Sequence, residues 1–215
     1  MANTFRLTTT LFLLLLLLPL LAFFQTCHGE SPGIAVYWGQ DGREGTLTQA
    51  CTSGLYSYII IAFIYEYGSY QPPNVNLAGH CTPSINNCKF IGPEITACQN
   101  LGIKVLISIG GANGQRQSLA DAGDAKYLAD YIYNNFLGGS ASDRLFGDAV
   151  LDGVDFDMES RSSYLDDLAR YLHEHSTPQR KVYLSAAPQC PFPDANIGAA
   201  LNTGLFDYVW IQLLI

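Results

Sequence analysis

Positive charge is scarce in this chain. Its 215 residues carry 11 Lys and Arg against 19 Asp and Glu, a net charge of −8 with His neutral. Nucleic acid and anionic membrane surfaces repel such a protein, so neither is expected as a partner. A neutral polymer such as a polysaccharide meets no such barrier. Long apolar runs are lacking too: Leu11 to Phe24 stands alone, and it is too short for a confident membrane span. There is no Walker motif, and the first strand-to-helix turn, Gly39-Gln-Asp-Gly42, is not a dinucleotide fingerprint. An Asn-x-Ser/Thr sequon is also missing. Nothing in the sequence asks for a metal or another cofactor, and none is expected.

The apolar run belongs to an N-terminal segment whose only charged side chain is Arg6, and Cys27-His-Gly29 offers small residues at the −3 and −1 positions of a cleavage site. This pattern reads as a secretory signal peptide over residues 1–29, cleaved after Gly29. Removing it takes the net charge from −8 to −9. Residues 30–215 then form one domain, expected as a secreted monomer outside the cell or in the vacuole.

Within that domain apolar strands alternate with helical stretches. Ile34–Trp38, Tyr58–Ile64, Ile103–Ile109, Ala149–Asp157, Val182–Ala186 and Tyr208–Leu213 read as buried strands. Asp124–Phe136 has apolar residues at helical spacing, as does Ser163–His175, with Ser162 or Ser163 as the expected N-cap. Strand–helix alternation with apolar strands implies a parallel sheet covered by helices. An open doubly wound sheet and a (β/α)8 barrel both fit that pattern.

The chemistry concentrates in Leu151-Asp-Gly-Val-Asp155-Phe-Asp157-Met-Glu159. In a strand, Asp155, Asp157 and Glu159 share one face at a spacing of roughly 7 Å, and Val154, Phe156 and Met158 take the other. Asp152 falls on the opposite face and reads as structural. A solvated antiparallel strand can alternate in this way, but like charges on one face repel and Asp is a poor strand former. A site that holds and moves protons does need such crowding, because neighbouring carboxylates cannot all ionise. A divalent-cation site is a further reading, although no His or phosphate-binding Gly-Lys motif accompanies the acids.

This acidic stretch resembles the signature of glycoside hydrolase family 18, and the chain is similar to the plant-type acidic (class III) endochitinases. Further resemblance lies in Ile34-Ala-Val-Tyr-Trp-Gly-Gln40, Asn76-Leu-Ala-Gly-His80, Ser108-Ile-Gly-Gly111 and Lys181-Val-Tyr-Leu-Ser-Ala-Ala-Pro-Gln-Cys-Pro-Phe-Pro193. The resemblance implies a (β/α)8 TIM barrel whose site lies at the C-terminal ends of the strands. It implies chitin or a chitooligosaccharide as substrate, hydrolysed with help from the substrate's own N-acetyl group. Glu159 matches the general acid, Asp157 the residue that orients the acetamido group, and Asp155 the residue that shares a proton with Asp157. Tyr37, Gln40, Phe63, Gly110, Gly111 and Gln212 match positions that line the cleft.

The resemblance also implies disulfides Cys51–Cys98 and Cys81–Cys88. It leaves Cys190 unpaired, its partner lying beyond residue 215, and a buried, inert thiol is expected there. About six of eight βα units are present, so a C-terminally truncated barrel, or a gene-model fragment, is expected. Leu214 stands where the family usually has a Tyr that holds the acetamido group, a loss of ~10²-fold if it equals an oxyanion donor. A non-catalytic carbohydrate-binding or inhibitory member of the same fold is therefore the competing reading.

Overall fold

The computed structural model describes residues 33–112 and 114–213. The expected signal peptide and Leu214 lie outside the described residues. The strands are β1 (Ala35–Trp38), β2 (Tyr58–Glu66), β3 (Asn74–Val75), β4 (Lys104–Gly110), β5 (Gly153–Asp157), β6 (Tyr183–Ala186) and β7 (Tyr208–Val209). The helices are α1 (Leu47–Thr52), α2 (Ile91–Asn100), α3 (Ala122–Phe136), α4 (Leu165–Glu174) and α5 (Gly198–Leu201). Among the described residues no helix is long and apolar enough to cross a membrane.

Strand order decides between the two architectures. The sheet runs β1-β2-β4-β5-β6-β7, with every one of these pairs parallel and β3 attached antiparallel to β2. The order never reverses, as it must at the switch point of a doubly wound sheet. The strands therefore form an arc of a (β/α) barrel, six parallel strands of it.

The apolar runs explain the layering. Ile59, Ile61, Val105, Ile107, Val154, Phe156 and Leu184 belong to one buried core with Ile95 of α2, Leu128 and Ile132 of α3, and Leu168 and Leu172 of α4. Alternation sends the intervening residues to the inner face. There Tyr37 pairs in register with Ile60, Ile60 with Leu106, and Ser108 with Asp155, which pairs in turn with Ser185. One face of each strand is thus greasy, and the other turns polar toward the C-terminal end.

Several boundaries differ from expectation. β5 starts at Gly153, not Ala149, because the amides before it are used elsewhere: Ala149 N bonds to Phe146 O and Leu151 N to Phe136 O. β7 stops at Val209, where its neighbour β6 runs into Pro188, a residue with no N–H to offer. Helix α3 begins at Ala122, and Asp121, whose side chain accepts from Asp124 N, is its N-cap. For α4 the expected Ser162 or Ser163 cap is wrong. Tyr164 occupies the N-cap at φ 62° with no side-chain cap bond, while the Ser162 hydroxyl accepts from Leu119 N and donates to Ser163 O.

Both disulfides form as the resemblance implied, Cys51–Cys98 and Cys81–Cys88. Cys190 carries a free thiol and is exposed, not buried. It follows β6 in a proline-flanked loop over Gln189–Pro193, on the surface, where connecting segments keep their backbone groups in contact with water. Asp152 is structural as expected: its Oδ2 accepts from Val105 N at 2.8 Å and Gln99 Nε2 at 2.9 Å, tying α2, β4 and the start of β5.

Candidate active site

The acidic residues leave the C-terminal end of β5 in three different environments. Asp155 is fully buried and Asp157 is 6% exposed, whereas Glu159 lies two residues past the strand and is exposed. One ladder of carboxylates therefore runs from the barrel interior to solvent.

Asp155 is surrounded by hydroxyls. Ser185 Oγ donates to its Oδ1 at 2.5 Å, and Ser108 Oγ and Tyr37 Oη donate to its Oδ2 at 2.7 and 2.9 Å. The two serines sit directly opposite Asp155 on the flanking strands, so sheet register alone builds the contacts. Burial pushes the Asp155 carboxyl up from its ordinary value, and these donors oppose that shift. The Trp210 indole N–H adds a weaker opposing pull, and its buried nitrogen has no hydrogen-bond partner among the described residues. The Tyr37 phenol is pushed far up, by burial first and then by Asp155 and Asp157, so it acts only as a donor.

Asp157 is pushed up to about 7, mainly by burial, then by the charges of Asp155 and Glu159. Gln212 opposes this: its Nε2 donates to Asp157 Oδ1 at 2.5 Å. Gln212 is itself held, since its Nε2 also reaches Ala187 O at 3.1 Å and its Oε1 accepts from Gln189 Nε2 at 2.7 Å. A carboxyl that titrates near neutrality beside a second buried carboxyl can pass a proton along the ladder.

The segment carrying Glu159 is fixed from both sides. Asn196 Nδ2 donates to Met158 O at 3.1 Å, and Ser160 Oγ to Gln117 Oε1 at 3.1 Å. Gln117, only 8% exposed, also donates through Nε2 to the carbonyls of Tyr65, Gly110 and Gly111.

The residues expected to line the cleft divide into two groups. Tyr37, Phe63, Gly111 and Gln212 come together around the acids: the Tyr37 and Phe63 rings lie 5.9 Å apart, and a Cβ on Gly111 would meet Phe63 Cδ2 at 3.0 Å. Gly110 and Gln40 have structural work. Gly110 has φ 114°, and a Cβ there would strike the Asp157 carbonyl, so this glycine lets β4 lie close against β5. Gln40 spends its Nε2 on the carbonyls of Gly39, Ala62 and Asn76. Ser185, Gln189, Trp210 and Gln117 were not singled out from sequence. Ser185 alone carried a signal, a small hydroxyl inside an apolar strand. Among the described residues no group of three His, Cys, Asp or Glu side chains is arranged to hold a metal ion.

The family model of glycosyl hydrolases family 18 matches residues 33–214. The chain belongs to glycosyl hydrolases family 18. An acidic endochitinase of Vitis vinifera is 56% identical over 203 residues, which cover 93% of this chain and 66% of that protein. The crystal structure of a chitinase from Ipomoea carnea superposes with a TM-score of 0.82 at 46% identity, covering 84% of this chain and 67% of that one. A xylanase and α-amylase inhibitor protein, XAIP-I, solved with trehalose, superposes with a TM-score of 0.77 at 40% identity, covering 85% of this chain and 65% of that one. This family 18 chain thus spans about two thirds of the length of the curated relatives it matches.

Proposed function

We propose that this family 18 chain carries the catalytic carboxylates of an endochitinase, cleaving β-1,4 links between N-acetylglucosamine units of chitin, with peptidoglycan as a related substrate. The observation that carries this reading is the graded ladder Asp155–Asp157–Glu159, buried at one end, open to solvent at the other, with a carboxyl near pKa 7 between. Glu159, at the open end, gives its proton to the glycosidic oxygen as the C1–O bond breaks. The acetamido carbonyl oxygen attacks C1 from the other face and forms an oxazolinium ion, the substrate-assisted variant of retention. Asp157 holds the acetamido N–H and faces the positive charge that develops there. It can do so as an anion because Asp155 takes up the shared proton. Water then opens the ring at C1, returning its proton to Glu159. The N-terminal apolar run supports secretion, and a defence role and a monomeric state are part of the same proposal.

The test is turnover of a soluble N-acetylglucosamine oligomer by purified chain that shows a cooperative unfolding transition, with Glu159→Gln as control. Activity that disappears in the control supports the reading; a folded chain without turnover refutes it. The similarity to the inhibitor XAIP-I favours one alternative, a binding or inhibitory protein on the same frame. A folded, inactive chain that still binds the oligomer, or that inhibits a xylanase or amylase, would establish that alternative.

A further inference from the structure

A second cavity lies on the outside of the barrel arc, about 670 Å³ in volume, within the range of ~300–1,000 Å³ that small-molecule sites occupy. Its walls are the β2–β3 hairpin, the loop closed by Cys81–Cys88, helix α3 and the loop before β5. None of the side chains that hydrogen-bond Asp155 or Asp157 lines it.

The lining chemistry is neutral and bifunctional. Asn74, Asn86 and Asn135 each spend one amide N–H inside the protein, on Glu66 Oε2, Asp143 Oδ2 and Tyr131 O respectively. Each keeps its side-chain oxygen and its second N–H without a partner among the described residues. An amide offering an acceptor beside a donor matches neighbouring sugar hydroxyls, which are both donors and acceptors. The Ser84 hydroxyl also has no partner among the described residues, and the rings of Tyr65 and Tyr131 supply apolar faces for C–H groups. The charged side chain in the lining, Asp143, is already bound to Lys89 Nζ at 2.6 Å and would repel an anion. Two lining residues, Ala78 and Asn86, sit at φ 46° and 52°, a strained backbone that the surrounding bonds hold in place.

We propose that this cavity is a second carbohydrate site, taking a short neutral oligosaccharide independently of the carboxylate cleft. A polymer held there raises the effective concentration of neighbouring chain ends or strands at the cleft.

The experiment is an amide chemical-shift titration of the isotope-labelled chain with the N-acetylglucosamine tetramer and, separately, the β-1,4-glucose tetramer. The amides of Ala78, Asn86 and Asn135 are expected to shift saturably with at least one tetramer, on a curve separate from Gly111 and Asp157. Ser84→Trp, at an exposed position, fills the cavity with an indole, and Asn135→Leu removes one amide. Each is expected to raise the midpoint of the first set about tenfold, roughly one hydrogen bond's worth, and to leave the cleft set unchanged. No shift of the first set up to roughly 10 mM of either tetramer, or midpoints unmoved by both variants, overturns the proposal. Movement of the cleft set alone overturns this site and leaves the chitinase reading standing. Movement of the cavity set alone does the reverse.

Discussion

Asp157→Asn is expected to stabilise the fold while it removes the chemistry. The Asp157 carboxyl moves from 3.8 to about 7, chiefly through burial, so the folded state prefers it protonated. A raised acid contributes its stability at low pH and loses it as pH climbs from the unfolded value through the folded one. At about 1.4 kcal/mol per unit, full ionisation costs the native state roughly 4 kcal/mol relative to a group that cannot ionise. Asn has nearly the same shape, and its Oδ1 can still accept from Gln212 Nε2. Unfolding in urea, followed across pH, is the assay. Near pH 4 the two proteins should differ by less than about 1 kcal/mol; near pH 7 the Asn variant should lead by roughly 3–4 kcal/mol, then stay level above about pH 8. In thermal terms the lead is of order 10 °C for a chain of this size. The Asp155 carboxyl is raised as well, so the midpoint of the change belongs to the pair. A gap that does not vary with pH, or an Asn variant less stable near pH 8, would falsify the buried-acid argument.

Glu159→Gln changes an exposed side chain, so its unfolding free energy should stay within about 0.5 kcal/mol of the parent while oligomer turnover falls ~10²–10⁴-fold. Gln212→Ala removes the donor that favours the ionised form of Asp157. Its carboxyl should rise further, and the limb of the pH–rate profile that reports it should move alkaline by up to about one unit, read from turnover against pH. Gly110→Ala forces a Cβ onto the Asp157 carbonyl at a left-handed φ and should cost about 3 kcal/mol in urea unfolding, with β4 and β5 separating first in hydrogen exchange.

The acids were legible from sequence because a strand's period of two is so plain in Asp155-Phe-Asp157-Met-Glu159. So was the sheet, whose Ile- and Val-rich strands are buried on both faces. The hydroxyl shell of Asp155 was less visible. Ser108 and Ser185 matter through cross-strand register, and register between parallel strands is set by the packing of whole βα units. Helix starts misled for a similar reason: Ser162 and Ser163 have the right chemistry for a cap, but the Ser162 hydroxyl serves Leu119 N across the face of the barrel. Gln40 reads from sequence as a cleft residue, and its Nε2 also braces three carbonyls, a role that depends on where the β2–β3 hairpin runs. The expected state of Cys190 rested on a missing partner, which says nothing about exposure.

Tyr37 lies 118 residues before the aspartate it bonds, and Gln212 lies 55 residues after its own. The groups that quiet the buried acids therefore arrive from opposite ends of the chain. During synthesis β5 emerges with Tyr37 and Ser108 already made for Asp155 but no side-chain donor for Asp157; Ser185 follows on β6 and Gln212 only after β7. Until then ionised acids oppose the burial of β5, and proton uptake favours it. Contacts of such long sequence separation form slowly. The refolding rate of the chain should accordingly rise as the solution is made mildly acidic, with the acid ladder acting as a late checkpoint on assembly of the sheet.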